Sequence, residues 1–232
     1  AVTLGQALLV AHPDDEKVQI SIINARQRLG SLLLASGQAD AALAHFQESL
    51  EYDRARAASR PDDLWEQRAL GVALTKIAGV HYGRHELAEA LERYQEFRTI
   101  SERLYTAYPE NVVARRDLGV AHQWIGIILA DRGEGAAALE SFAASNGVFE
   151  GLLRDDPQDA GGAQAQLVTN HSKMGEIHLA AGRRDDAQSS FERTVALIEP
   201  LAQRLPDRPD VLRLQGVAYY KLAELERARA LD

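Results

Sequence analysis

Histidine is the residue type in this chain with the most scope for chemistry, and it occurs in pairs. His81 and His85 lie four apart, and His171 and His178 lie seven apart with Glu176 between them, so each pair shares a helical face in the manner of metal ligands. Near the start, the apolar run Leu8-Leu9-Val10-Ala11 leads into His12-Pro13-Asp14-Asp15-Glu16. Cysteine is absent, which excludes disulfides, thiolate nucleophiles and Cys-based zinc sites. There is no Ser-His-Asp or Lys-based nucleophile arrangement, and neither GxGxxG nor GxxxxGKS/T occurs. Catalysis has no support beyond the imidazoles, and no cofactor is expected.

Charge narrows the class of partner. A net charge of −8 over 232 residues disfavours sequence-independent binding to nucleic acid or to an anionic membrane, since both need clustered Lys and Arg. No apolar run approaches the roughly eighteen residues of a membrane span. Ala1 to Val10 has no basic leader region, so no signal peptide is read and a cytoplasmic location is expected.

The elements that must position these residues repeat. Five of the seven prolines are Pro13, Pro61, Pro109, Pro157 and Pro206, at spacings of 48, 48, 48 and 49. After each comes an apolar residue followed by a small one: Leu29-Gly30, Ile77-Ala78, Ile125-Gly126, Met174-Gly175 and Leu222-Ala223. The extra residue of the last interval falls between Pro157 and Gly175, in the loose stretch containing Gly161 and Gly162.

Each unit reads as two helices joined by a turn at Gly37, His85, Gly133 or Gly182, where glycine lets the backbone leave the first helix with φ > 0. The first helix runs, for example, from Asp62 to about Tyr82; the second starts near Ala39, Glu86, Gly135 and Asp185. Along the second helix, Ala42, Ala90, Ala138 and Ala187 form one column and Phe46, Tyr94, Phe142 and Phe191 the next. Ser49, Phe97, Ser145 and Thr194 form a third. This i, i+4, i+7 set puts a small residue and a ring on one buried face. Pro200 lies inside the last such helix and predicts a kink or a split.

A small residue after an apolar one, Gly at the turn, Ala opening the second helix, an aromatic four residues on and Pro at the end resemble the tetratricopeptide repeat. The resemblance covers nearly the whole chain. It departs in length, since the usual unit is about 34 residues, and matches long-helix variants found in bacterial signalling proteins and motor light chains. It also departs where the family carries Trp, here Arg26, Leu74, His122, His171 and Tyr219.

The resemblance implies an all-α fold, a right-handed α-α superhelix of antiparallel helix pairs. The single array is expected to comprise the end of a preceding helix (1–13), repeats at about 14–61, 62–109, 110–157 and 158–206, and a terminal helix (207–232). Both ends read as half-units, so a longer array or multidomain protein is expected.

The segment Leu8–Glu16 also resembles the zinc-binding motif of de-N-acetylases that act on N-acetylglucosamine conjugates. That family needs an α/β sheet around the motif and a further His ligand. The register instead makes Ala1–Ala11 the end of a helix and His12-Pro13-Asp14-Asp15 an inter-repeat turn equivalent to Arg60-Pro61-Asp62-Asp63. His81, His122, His171 and His178 fall where the family packs Trp or Tyr, so no metal site is expected.

In such arrays the first helices line the concave surface. One column there reads Arg28, Lys76, Trp124, Lys173 and Lys221, which holds three of the chain's four lysines. Beside it run Gln27, Gln123 and Tyr220, with Asn24 one turn earlier. A row of cations in an acidic protein suits an acidic or C-terminal carboxylate segment; the plainer account is that the stems lie over neighbouring helices with their heads in water. The Lys and Asn set of chaperone-binding members is not reproduced. The favoured function is a non-catalytic module binding another protein or peptide, as a regulatory part of a larger bacterial protein. The rival is a structural element that self-associates through its end helices into a homo-oligomer.

Overall fold

The computed structural model describes residues 15–157 and 162–229. The expected helix end at 1–13, the His12-Pro13-Asp14 part of the turn and Gly161 lie outside the described residues. The chain packs as two compact units, Ala1–Leu104 and Tyr105–Asp232.

The first unit holds α1 (Glu16–Ala35), α2 (Ala39–Ser59), α3 (Leu64–Gly83) and α4 (Leu87–Ala107), the last turn of which passes its boundary. The second holds α5 (Val112–Asp131), α6 (Gly135–Asp155), α7 (Ala163–Ala180), α8 (Arg184–Arg204) and α9 (Pro209–Arg229). Within each unit neighbouring helices pack as hairpins, and no strand occurs among the described residues.

Local chemistry sets the boundaries. The side chains of Asp15, Asp63 and Asn111 accept hydrogen bonds from backbone N–H groups of the first turns of α1, α3 and α5. The capping residue thus stands two places after each proline. At α7 the N-cap is Gly162, which has no side chain to offer. The four hairpin turns have Gly37, His85, Gly133 and Gly182 at φ of 80°, 59°, 78° and 73°. After each, a backbone N–H reaches five residues back: Gln38 to Leu33 C=O at 2.8 Å, Glu86 to His81 at 3.0 Å, Glu134 to Leu129 at 2.8 Å and Arg183 to His178 at 2.9 Å. This is the Schellman closure, and it frees the first helix to hand over to the second.

The three packing columns of the second helices are all buried. A methyl group on Gly30, Gly126 or Gly175 would come within 3.0 Å of the ring of Phe46, Phe142 or Phe191, so glycine there sets how closely the hairpin closes. A second pair of rings serves the same purpose further along the second helices. Phe97 covers Gly71 in the first unit and Phe149 covers Gly119 in the second. Ring and serine have changed places between Phe97/Ser101 and Ser145/Phe149.

The split expected at Pro200 does not occur, since α8 is continuous from Arg184 to Arg204. Pro200 is exposed, while Leu197, Ile198, Leu201 and Ala202 on either side are buried against Leu167, Val168 and Val211. Packing on both sides holds the helix through the missing N–H.

Candidate partner-binding clefts

In the first unit, α1 and α3 flank a cleft of about 570 Å³ lined by Asn24, Gln27, Arg28, Ser31, Leu32 and Lys76. It brings together four of the residues that sequence placed on the concave face. The Lys76 ammonium donates to Ser31 Oγ at 3.3 Å and stands 5.5 Å from the centre of the Phe46 ring. Ser31 Oγ donates in turn to the Gln27 carbonyl at 2.9 Å. Arg28 is exposed, and among the described residues neither it nor Lys76 meets a carboxylate.

A smaller cleft of about 350 Å³ adjoins it and shares Asn24 and Gln27; Tyr52, Asp53, Trp65 and Arg68 are among its other walls. Trp65 is 64% exposed. Asp53 is 6% exposed and accepts one hydrogen bond, from Gln27 Nε2 at 3.2 Å. Burial pushes its carboxyl up to about 6, opposed by the Arg56 guanidinium and aided by the Glu66 charge. Arg56 makes no ion pair with it: Nε donates to Glu66 Oε2 at 2.8 Å, and its guanidinium also reaches Glu16 at 3.0 Å and the Tyr52 hydroxyl at 3.3 Å. Sequence reasoning passed over Asp53. The signal was its register, because the equivalent positions hold Ser101, Phe149 and Ile198, all fully buried.

The second unit treats its share of the same columns differently. Lys173 pairs with Glu176 at 2.9 Å and Lys221 with Glu224 at 3.7 Å. Tyr220, 60% exposed, donates its hydroxyl to Glu224 at 2.8 Å. Trp124 is half-buried. Gln123, expected on the groove, is 4% exposed and belongs to a polar ladder. Its Nε2 donates to Asn170 Oδ1 at 2.7 Å, and Asn170 Nδ2 donates to Ser145 Oγ and Asn146 Oδ1, both at 2.9 Å. The amide turns inward because the fully buried Asn170 needs an N–H donor.

Three of the described histidines act in packing and turns. His81 and His178, at equivalent positions, each contact the residue five further on: His81 Nδ1 lies 2.5 Å from Glu86, and His178 Nδ1 accepts from Arg183 Nε at 3.0 Å. His171 stands beside the ladder, 3.5 Å from Asn146. Burial holds both His171 and His178 below the usual histidine range. No group of three or more His, Asp and Glu among the described residues is placed to hold a metal ion, and no described helix is long and apolar enough to cross a membrane.

No family model matches this sequence, and no curated protein does. Solved structures do. BtubC (BKLC) from P. vanneervenii superposes with a TM-score of 0.62 at 16% identity, over 99% of this chain and 87% of that one. A putative kinesin light chain of nearly identical TPR-like repeats from Podosopora anserina gives 0.53 at 12% identity, over 88% of this chain and 97% of that one. The fold is therefore a tetratricopeptide-like array of helix pairs.

Proposed function

We propose that the protein is a non-catalytic interaction module, and that the 570 Å³ cleft between α1 and α3 binds an acidic segment of another protein. One observation carries the reading. Arg28 and Lys76 face this cleft with no carboxylate among its walls, whereas Lys173 and Lys221 are matched by Glu176 and Glu224. Uncompensated cations in a concave wall attract a carboxylate and hold it by charge-assisted hydrogen bonds. Asn24 and Gln27 add side-chain amides for the peptide backbone. The module serves as a regulatory part of a larger bacterial protein, a reading that rests on the resemblance of its long-helix repeats to those of bacterial signalling proteins.

A second reading is self-association through an end helix. It rests on α9, where Leu212, Tyr219 and Tyr220 are 47%, 44% and 60% exposed. Sedimentation equilibrium separates the two: a dimer at micromolar concentration that dissociates on Leu212→Glu supports association, and a monomer removes it.

The acidic-segment reading is tested by fluorescence anisotropy with labelled hexaglutamate and hexaglutamine peptides. Hexaglutamate should bind at low salt and weaken as salt is raised, hexaglutamine should not bind, and the Arg28→Ala/Lys76→Ala variant should lose at least tenfold in affinity. Unchanged binding by that variant removes the assignment.

A further inference from the structure

The smaller cleft holds a carboxylate at a position where the fold has no use for one. Asp53 stands in a column that otherwise carries Ser101, Phe149 and Ile198, each fully buried. Its carboxylate has room for about four hydrogen bonds and, among the described residues, receives one, from the Gln27 amide. It makes no ion pair among the described residues, although Arg56 lies three residues along the same helix. That guanidinium is held on Glu66 from α3 and Glu16 from α1.

The other walls are equally specific. Tyr52 from α2 and Trp65 from α3 present rings to the cleft, and the indole is 64% exposed. The charged groups lining the cleft beside Asp53 are Arg56 on its own helix and Glu66 and Arg68 on α3, which sum to +1, so ionised Asp53 brings the cleft to neutrality. The Arg56 guanidinium already stands 5.6 Å from the centre of the Tyr52 ring, so the open aromatic face is the indole. An under-coordinated carboxylate in a cleft with an exposed indole suits a side-chain cation, which stacks on the ring while its N–H groups reach the acid.

We infer that the cleft is a cation subsite that seats a Lys or Arg side chain of the partner on the Asp53 carboxylate, against Trp65. This deepens the reading above and rests on it for the neighbouring acidic group. Since the two clefts share Asn24 and Gln27, the partner segment carries its cation close to its carboxylate. Recognition is then of a mixed-charge pattern, which discriminates against uniformly acidic chains that the Arg28/Lys76 cleft alone would accept.

The raised Asp53 carboxyl supports this and makes the subsite pH-sensitive. With the group near 6 in the free protein, about a tenth of it is ionised at pH 5 and nearly all of it at pH 7.5.

The test uses N-acetyl-arginine amide and its neutral isostere N-acetyl-citrulline amide, read by Trp65 fluorescence in a Trp124→Phe background, since these are the only two tryptophans. The arginine probe should give a saturable change at pH 7.5 at least tenfold tighter than citrulline, weakening about tenfold by pH 5. Asp53→Asn should abolish both the preference and the pH dependence, with unchanged helicity by circular dichroism. If that variant fails to fold, the pH profile of the Asp53-containing protein decides alone.

Equal responses to the two probes, or affinity for arginine that is flat from pH 5 to 7.5, overturn the inference. Its failure is distinct from failure of the acidic-segment reading. The arginine probe should still bind Arg28→Ala/Lys76→Ala, and hexaglutamate should still bind Asp53→Asn.

Discussion

Replacing Asp53 by Asn should stabilise the protein at neutral pH, and the size of the gain follows from the site. Asn keeps the shape and can still accept the Gln27 hydrogen bond, so the main thing removed is a buried negative charge that lacks an ion-pair partner among the described residues. The carboxyl moves from an ordinary 3.8 to about 6 on folding, chiefly through burial. At about 1.4 kcal/mol per pH unit this is a penalty of about 3 kcal/mol once the group is ionised in both states.

The sign is opposite to that of a salt-bridged aspartate. Between about pH 4 and 6 the native state holds a proton that the unfolded state has lost, so this group lowers stability as pH rises through that window, and the loss is complete above it. His171 and His178, held low by burial, act the other way in the second unit, since their protonation below about pH 6.5 favours unfolding. The informative quantity is therefore the difference between the two proteins.

Urea denaturation at pH 4.0, 6.0 and 7.5 should give nearly equal stabilities at pH 4.0. At pH 7.5 the Asn variant should lead by about 2–3 kcal/mol with an unchanged m-value. A lead that does not grow with pH, or a variant less stable at pH 7.5, refutes the argument that Asp53 is an uncompensated buried charge.

Three further outcomes are expected. Asn170→Leu should cost the second unit about 2–4 kcal/mol by leaving the Gln123 and Asn146 amides without their buried partner, measured by urea denaturation of the whole chain. Gly175→Ala should cost about 1–3 kcal/mol despite alanine's better helix propensity, because the new Cβ would stand 2.5 Å from Phe191 Cε1; Phe191→Leu in the same chain should recover part of the loss in thermal melts. Neutralising Lys173 and Lys221 to Gln should leave hexaglutamate affinity within about twofold of the parent, because both ammonium groups already face a glutamate three residues on.

The packing of the array was largely legible in the sequence, since a ring beside a glycine leaves a mark at a fixed spacing. The columns through Ala42, Phe46 and Ser49 all proved buried, and even His85 was found as a non-glycine standing in for glycine at positive φ. The split expected at Pro200 failed because a local rule was applied without its surroundings: the lost hydrogen bond is real, but buried apolar residues on both sides keep the helix continuous through it.

The binding face was harder to read, because a column treats every member alike while a cleft depends on the neighbours of each. Lys173 and Lys221 differ from Arg28 and Lys76 by what stands three residues later. Glu176 and Glu224 follow the first two; Ser31 and Gly79 follow the others. That contrast was present in the sequence as an i, i+3 pairing rule. Gln123 could not be sorted in this way, since its inward turn depends on Asn170, 47 residues away on another helix.

Asp53 shows how a repeat can be read for function. In a single helix an aspartate after a tyrosine says little. Set against Ser101, Phe149 and Ile198 it is a charge in a core column, and a core column admits a charge only where something offsets the cost. Within the described residues that offset is one amide hydrogen bond and the nearby Arg56 charge, and what remains is a carboxylate with unfilled acceptor sites in a cleft that it shares with an exposed indole. Departures from the repeat that weaken packing without repair elsewhere are where a repeat protein's specificity should be sought.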